Sequence, residues 1–278
     1  EIYTLSLHDA LPISYSLSSK GRLETGAGNA DIQLSKNGKN IQAKIATKGI
    51  ALDRILANKA FGQVATTIEV KGNKDHLVAK GEISRFDYNK YSFRNISLDG
   101  QYNHGIVKGL ASIDDPNIRV NIEGNYAIKG NKYAINTHID HLQPSILGVK
   151  MADKDYSLDD IDLSANNQSS DSYLDLEAPF MSLHARGQYN LSTLVSSIQN
   201  MIAEKLPTLP GIKKTKAKGD NDFTLQGNIY STEVLNKILG IPLAISSPIH
   251  INGNISEQSN ELEYEIGRAV QQECRDRS

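Results

Sequence analysis

The sequence predicts a mainly β protein whose strands follow one another as an antiparallel meander. Three observations support this prediction: short runs alternate apolar and polar residues, turns built on Gly or Asn separate the runs, and helical segments are few. The clearest run is Ile118 to Glu123, in which three aliphatic residues alternate with three polar ones. Alternation with a period of two puts the aliphatic side chains on one face of a strand. A succession of such one-sided strands makes a surface with one apolar face.

The first hairpin is indicated by an Asn-Gly turn between two alternating runs. Ala30 to Leu34 leads into Lys36-Asn37-Gly38-Lys39, and the alternation resumes from Ile41 to Ile45. Asn-Gly between alternating runs is the strongest short-range hairpin signal. The same pattern predicts further strands at 64–70, 77–86, 91–102, 106–113, 118–123, 133–139 and 223–229.

Helical segments interrupt the meander at intervals. Residues 231–240 begin with a capping Ser, space their aliphatic residues at helical intervals and end in Gly. Shorter versions follow strands at 52–56 and 142–148, and a longer one at 191–205 has a broad apolar stripe. We expect the 191–205 helix to cover part of the apolar face; the alternative is a helix that lies on a membrane surface.

Composition limits the classes of partner. The chain has 30 Lys and Arg against 32 Asp and Glu, so no global field would attract nucleic acid or an anionic membrane. A hydrophobic content of 39% without any Trp is low for a compact core. No stretch approaches the roughly 20 apolar residues that span a bilayer as a helix. Partners are therefore expected to be recognised by shape and apolar contact.

Both ends of the chain resemble translated sequencing-adapter sequence. These adapter-like segments are residues 1–14 and 265–278, and we exclude them from fold reasoning. The natural part, 15–264, is then a repetitive β-sheet fragment of a longer protein. Because Cys274 is the only cysteine, this part has no thiol for a disulfide, a zinc site or a nucleophile.

Candidate chemistry is sparse, which predicts a protein that is not an enzyme and has no cofactor or metal. His138 and His141 could suggest a metal pair, but residues three apart on a regular strand face opposite sides. Residues 114–117 offer oxygen ligands for calcium, yet Asp, Pro and Asn are also what a tight turn requires. The basic run 213–218 could touch lipid headgroups, and a solvated loop is the preferred interpretation. The sequence has no phosphate-binding loop, nucleophile elbow or zinc-protease helix motif.

A sheet with one apolar face must cover that face, curl around it or offer it to an apolar ligand. The short helices are too few to cover more than ten strands. The residues alone therefore leave two architectures open: an open trough filled by acyl chains, or a sandwich or barrel whose interior packs against itself. Aliphatic side chains would hold an acyl chain by area and packing, with low specificity.

Residues 86–102, together with 109–117, resemble the middle of TamB-type translocation and assembly proteins, which belong to the AsmA-like group. The resemblance covers most of 15–264, and its motifs are patterns of strand and turn. It implies a periplasmic protein of the Gram-negative envelope, attached to the inner membrane through an anchor outside this fragment. It further implies an elongated antiparallel sheet that curls into an open trough with an apolar interior.

The predicted function is non-enzymatic: an apolar groove for phospholipid transport between the inner and outer membranes, support of outer-membrane protein assembly, or both. The predicted partners are phospholipid acyl chains and outer-membrane assembly proteins, without nucleic acid. The candidate groove residues are the aliphatic members of the alternating runs: Ile32, Leu34, Ile41, Ile45, Ile68, Val70, Ile118, Val120, Ile122, Ile135, Ile139, Leu225, Ile249 and Ile251.

Two alternative functions remain from the sequence. An outer-membrane β-barrel also alternates, but the helical interruptions and strands often shorter than the roughly 9–11 residues needed for spanning argue against it. A secreted adhesin or carbohydrate-binding module usually displays an aromatic platform, whereas the twelve Tyr here are scattered and no Trp accompanies them.

Overall fold

The computed structural model divides the chain into two compact units, Glu1–Ile113 and Asp114–Ser278, called the first and second unit below. It describes the following parts of the chain: residues 16–149, 151–168, 172–189, 193, 200, 221–239, 244–256 and 261–268.

The first unit consists of long strands joined by short turns. Its strands are β1 (Ser16–Thr25), β2 (Gly28–Asn37), β3 (Asn40–Ala51), β4 (Phe61–Gly72), β5 (His76–Tyr88), β6 (Tyr91–Phe93), β7 (Ile96–Asn103) and β8 (Ile106–Asp115), the last of which ends just beyond the boundary of the unit. A single short helix, α1 (Leu52–Leu56), connects β3 to β4.

The second unit has shorter strands and more helix in its connections. Its strands are β9 (Ile118–Ala127), β10 (Lys132–Leu142), β11 (Leu158–Asn166), β12 (Tyr173–Ala178), β13 (Met181–Gln188), β14 (Asp222–Ile229), β15 (Ile249–Ser256) and β16 (Glu261–Arg268). The described helices are a 3₁₀ helix (Pro144–Leu147) after β10 and α2 (Glu233–Leu239) after β14.

The described strands form one antiparallel sheet in chain order. Within the first unit, each strand pairs with its neighbours in sequence, except that β6 pairs only with β5 and β5 pairs onward with β7; within the second unit, β9 to β16 pair in sequence. The order is linear, with β1 and β16 at its ends, so the sheet is open. The prediction of a mainly β, antiparallel meander with few helices is therefore confirmed.

Most predicted turns and helices appear where local sequence signals place them. Gly38 adopts a φ of 59° in the turn between β2 and β3, a conformation that glycine tolerates at little cost. The predicted helices at 52–56, 142–148 and 231–240 correspond to α1, the 3₁₀ helix and α2. In the turn at 114–117, the Asp115 carboxylate accepts a hydrogen bond from the backbone N–H of Asn117 at 3.0 Å.

The strand predictions need two corrections. The run 91–102 is divided into β6 and β7 because Asn95 adopts a φ of 51°, which interrupts the extended backbone. β1, β11, β12, β13 and β16 were not predicted as strands; in β1, all ten residues pair with β2.

Several predictions concern residues outside the described part of the chain. Of the helix predicted at 191–205, only Thr193 and Asn200 are described. The basic run 213–218 and the adapter-like segment 1–14 also lie outside the described residues. β16 includes the first four residues of the adapter-like segment 265–278, and each of them pairs with β15.

Candidate functional site: an uncovered aliphatic face

The register of the first unit gathers the predicted groove residues on one face. Residues that pair across neighbouring strands project their side chains to the same side of a sheet. Ile32 of β2 pairs with Ile45 of β3, and Ile45 pairs with Ile68 of β4. In the adjacent row, Leu34 of β2 and Val70 of β4 both pair with Ala43 of β3. All six candidates of this unit thus share one side, the aliphatic face: Ile32, Leu34, Ile41, Ile45, Ile68 and Val70.

The opposite side of the first unit is a polar face. Arg22 and Asp31 form an ion pair across β1 and β2 at 3.5 Å. Lys80 and Asp99 form another across β5 and β7 at 3.1 Å. The four side chains are more than two fifths exposed, as expected of a water-facing surface where such pairs contribute little stability. Val78, Ile106 and Leu110 also lie on this face and are 42%, 43% and 56% exposed, so the two faces differ in where the charged residues lie.

The aliphatic face of the first unit is largely uncovered. Leu34, Ile41 and Ile45 expose 51%, 42% and 39% of their surface, while Ile32 and Ile68 are half-buried. Contiguous exposed apolar surface on a folded protein marks a place where another molecule binds. This face is accordingly the candidate functional site.

Four further exposed residues of the same face were missed by the sequence analysis. Leu17 and Leu23 of β1, Leu98 of β7 and Val107 of β8 expose 69%, 51%, 38% and 39% of their surface. Glycine or serine occupies one of the neighbouring same-face positions of each, so the apolar alternation is hard to recognise. The pairing register identifies the face of such residues: Leu17 pairs with Lys36 of β2, and Lys36 pairs with Ile41 of β3.

Glycine on the aliphatic face lets neighbouring side chains close over the backbone. Gly81 of β5 lies between Ile68 of β4 and Leu98 of β7 in register. A Cβ at Gly81 would lie 3.3 Å from Cγ1 of Ile68 and 3.7 Å from Cδ1 of Leu98. The two aliphatic side chains therefore occupy the space above this glycine and continue the apolar surface across β5.

The second unit repeats the separation of faces. Val120 of β9 pairs with Ile139 of β10, which pairs with Ile161 of β11. Following the register from β9 to β15 places all eight candidates of this unit on one side: Ile118, Val120, Ile122, Ile135, Ile139, Leu225, Ile249 and Ile251.

The aliphatic face of the second unit is more covered than that of the first. Ile118 and Val120 are only 8% and 7% exposed, whereas Ile122 is 37% exposed. The other five candidates are half-buried. The backbone N–H of Gln143 donates to the carbonyl of Asn117 at 2.9 Å, which holds the 3₁₀ helix beside the start of β9. Ile118 and Val120 are thus packed, and Ile122 is the accessible member of this strand.

Helix α2 is fixed at the same end of the second unit. The N–H groups of Ala152 and Asp153, in the loop after the 3₁₀ helix, donate to the carbonyl of Lys237 at 2.9 and 3.2 Å. The Lys237 ammonium pairs with the Asp153 carboxylate at 2.9 Å and lowers the pKa of that carboxyl. Val234 of α2 is 7% exposed. The 3₁₀ helix, the loop that follows it and α2 are therefore joined to one another at this end of the unit.

Part of the second unit is an ordinary packed core. Ala185, Tyr189 and Phe223 form a buried cluster, and the candidate Leu225 packs against it. The Tyr189 hydroxyl donates to the carbonyl oxygens of Tyr173 and, at 3.3 Å, Asn166. Burial raises the pKa of this phenol.

The two histidines of β10 face the same side, so the prediction that they face opposite sides is wrong. Because the register shifts between Ile139 and His141, His138 pairs with Asn121 of β9 and His141 pairs with Arg119. Asn121 and Arg119 are two residues apart and face the same side, so both rings do too. Nδ1 of His138 lies 2.7 Å from the Asp162 carboxylate, which raises the pKa of that imidazole. His141 lies 2.7 Å from a different carboxylate, that of Asp159. Within the described residues, no group of three His, Cys, Asp or Glu is placed to hold a metal ion.

A shallow cleft beside α1 contains paired charges. It has a volume of about 450 Å³, and Arg54, Arg85 and Asp87 contribute to its lining. Arg85 donates to both oxygens of Asp87 at 2.8 and 2.7 Å, and the hydroxyl of Ser92 donates to the same carboxylate at 2.6 Å. The hydrogen bonds from Arg85 have the largest effect on the pKa of Asp87 and lower it, whereas burial raises it less. The carboxylate is thus committed to internal partners.

A scan against models of protein families finds no match, and searches of curated proteins and of solved structures find none either. Among the described helices, none has the length and apolar character needed to cross a bilayer. The functional conclusion is therefore drawn from the geometry of the two faces.

Proposed function

We propose that this chain is a non-enzymatic segment of a periplasmic protein of the TamB type. Its aliphatic face would bind phospholipid acyl chains during their transport between the inner and outer membranes. One observation carries the proposal: Leu34, Ile41 and Ile45 share one face of the first unit and are more than one third exposed, while the charged residues of its paired strands, Lys36 excepted, lie on the opposite face.

The energetics of such a face suit acyl chains. Burying a Leu or Ile side chain completely is worth about 1.5–3 kcal/mol, so each partly exposed aliphatic residue leaves some of that energy unused. An acyl chain that lies on the face recovers this energy by area alone, without directional bonds. Weak, non-directional binding permits a lipid to move along the surface, which is what transport requires.

Support of outer-membrane protein assembly is the second function that we propose, and it uses the same aliphatic face. A nascent outer-membrane strand alternates apolar and polar residues, so its apolar side chains can pack on the exposed Leu34, Ile41 and Ile45.

The test is site-specific photo-crosslinking in Gram-negative cells that express the full-length protein. A photoreactive amino acid is placed at Ile45 on the aliphatic face or at the neighbouring Lys44 on the polar face. Because adjacent strand residues face opposite sides, the two positions differ in face and hardly in location. We expect lipid adducts at position 45 severalfold above those at position 44.

The pair Ile122 and Glu123 supplies the corresponding comparison in the second unit. Equal lipid labelling on the two faces would contradict the transport function. Polypeptide adducts in place of lipid at position 45 would favour the assembly function.

A further inference from the structure

We propose that one rim of the aliphatic face in the first unit recognises the phosphate of anionic glycerophospholipids. This inference rests on the proposed transport function and adds to it a lipid class and an orientation. Three hairpin turns form the basic rim: residues 36–40, 73–76 and 103–106.

Lys36 brings a positive charge to the aliphatic face. It pairs with Leu17 of β1 and Ile41 of β3, so its side chain lies on the aliphatic face. Among the paired residues of 16–113, no other charged side chain lies on that face. A lysine at the end of an aliphatic strand face can lay its methylene stem on apolar surface and present its ammonium at the rim.

The rim as a whole is basic and rich in amide donors. It contains the exposed lysines Lys36, Lys39 and Lys74 and a single acidic residue, Asp75. Lys74 and Asp75 lie 3.6 Å apart with side chains 88% and 46% exposed, a pair too solvated to neutralise the lysine. The rim also has four asparagines, Asn37, Asn40, Asn73 and Asn103. Ammonium groups and amides are the donors that a phosphate accepts.

The hairpins lie along one end of the sheet. Antiparallel neighbours turn alternately at opposite ends, so the β2–β3, β4–β5 and β7–β8 turns share an end. The backbone N–H of His104 donates to the carbonyl of Asp75 at 3.0 Å, which joins two of these turns directly. Two strand spacings separate adjacent hairpins, about 10 Å. The donors therefore recur along the rim at short intervals.

The rim and the aliphatic rows define how a lipid would lie. Ile41, Ala43 and Ile45 occupy successive same-face positions of β3, and the distance from the first to the third is about 13 Å. A phosphate at Lys36 would therefore send its acyl chains over these residues, away from the rim. Displacement from the first hairpin to the second would then move the whole lipid across the strands while its phosphate keeps a lysine partner, first Lys36 or Lys39 and then Lys74.

The test compares two lipids with identical photoreactive acyl chains, phosphatidylglycerol and uncharged diacylglycerol, on the purified full chain. We expect phosphatidylglycerol to label the protein at least about fivefold more strongly, the effect of one lysine at an anionic surface. The preference should weaken at high salt, because exposed charges are screened. The triple variant Lys36→Gln, Lys39→Gln and Lys74→Gln should lose the preference and keep its labelling by diacylglycerol.

A second triple variant removes the same charge from the polar face: Lys20→Gln, Lys44→Gln and Lys80→Gln. It should keep the preference for phosphatidylglycerol. Equal labelling by the two lipids in the unaltered chain, or loss of preference in both variants alike, would overturn the rim proposal and leave the transport function standing. No labelling by either lipid would overturn both.

Discussion

At the scale of single residues, Asp87 illustrates how the polar face is stabilised. Its carboxylate accepts hydrogen bonds from Arg85 and Ser92, and its side chain is only 18% exposed. We expect Asp87→Asn to lower the free energy of unfolding by about 1 kcal/mol at pH 7, a hydrogen-bond loss discounted for the solvent-exposed Arg85. Chemical denaturation of both proteins measures the difference.

The pH dependence follows from the lowered pKa of Asp87. A carboxyl whose folded pKa lies below its unfolded value, about 3.9, contributes stability above the unfolded pKa. That contribution is lost as pH falls through the folded pKa. The difference between the two proteins should therefore shrink below about pH 4. Asp31→Asn serves as control, because its exposed pair with Arg22 at 3.5 Å should contribute nothing measurable; an equal loss there would contradict the interpretation.

At the scale of elements, β1 is the strand least supported by its surroundings. Every residue of β1 is exposed, and β2 is its only partner among the described strands, whereas β4 pairs on both sides. Local opening requires less free energy where few contacts are lost. In hydrogen exchange, we expect the amides of β1 that are bonded to β2 to exchange faster than those of β4. Protection of β1 equal to that of β4 would indicate that another segment covers the edge.

The elements also show which local signals could be read from the sequence. β9 and the turn at Gly38 were predictable because alternation and Asn-Gly are local properties. β1 was not, since Ser19 and Gly21 occupy its apolar-face positions between Leu17 and Leu23. The common face of His138 and His141 was not predictable either, because a bulge depends on pairing with the neighbouring strand.

At the scale of the whole molecule, the sequence predicts which side chains share a face but not which face is covered. Alternation places Val120 and Ile45 on aliphatic faces alike, yet Val120 is 7% exposed and Ile45 is 39% exposed. Burial depends on the tertiary arrangement of the segments around each face. Alternation within a strand does not encode that arrangement.

This difference in exposure predicts different responses to an introduced glutamate in the two units. Ile45→Glu places a carboxylate on a partly exposed face, where it stays hydrated, so we expect a loss of about 1–2 kcal/mol in the free energy of unfolding, the burial energy that this isoleucine gains at 39% exposure. Ala185→Glu buries a charge at a position 3% exposed and should cost more than about 3 kcal/mol. Circular dichroism during denaturation distinguishes the two.

Lipid binding should be reduced by a substitution on the aliphatic face that leaves the protein folded. Ile45→Glu should keep the fold and reduce labelling by a photoreactive lipid severalfold, because a hydrated carboxylate then interrupts the aliphatic rows. Lys44→Glu, which places the same residue on the polar face one position away, should leave labelling unchanged. If Ile45→Glu unfolds the protein as readily as Ala185→Glu does, the aliphatic face of the first unit is a packed core and has no surface to offer a lipid.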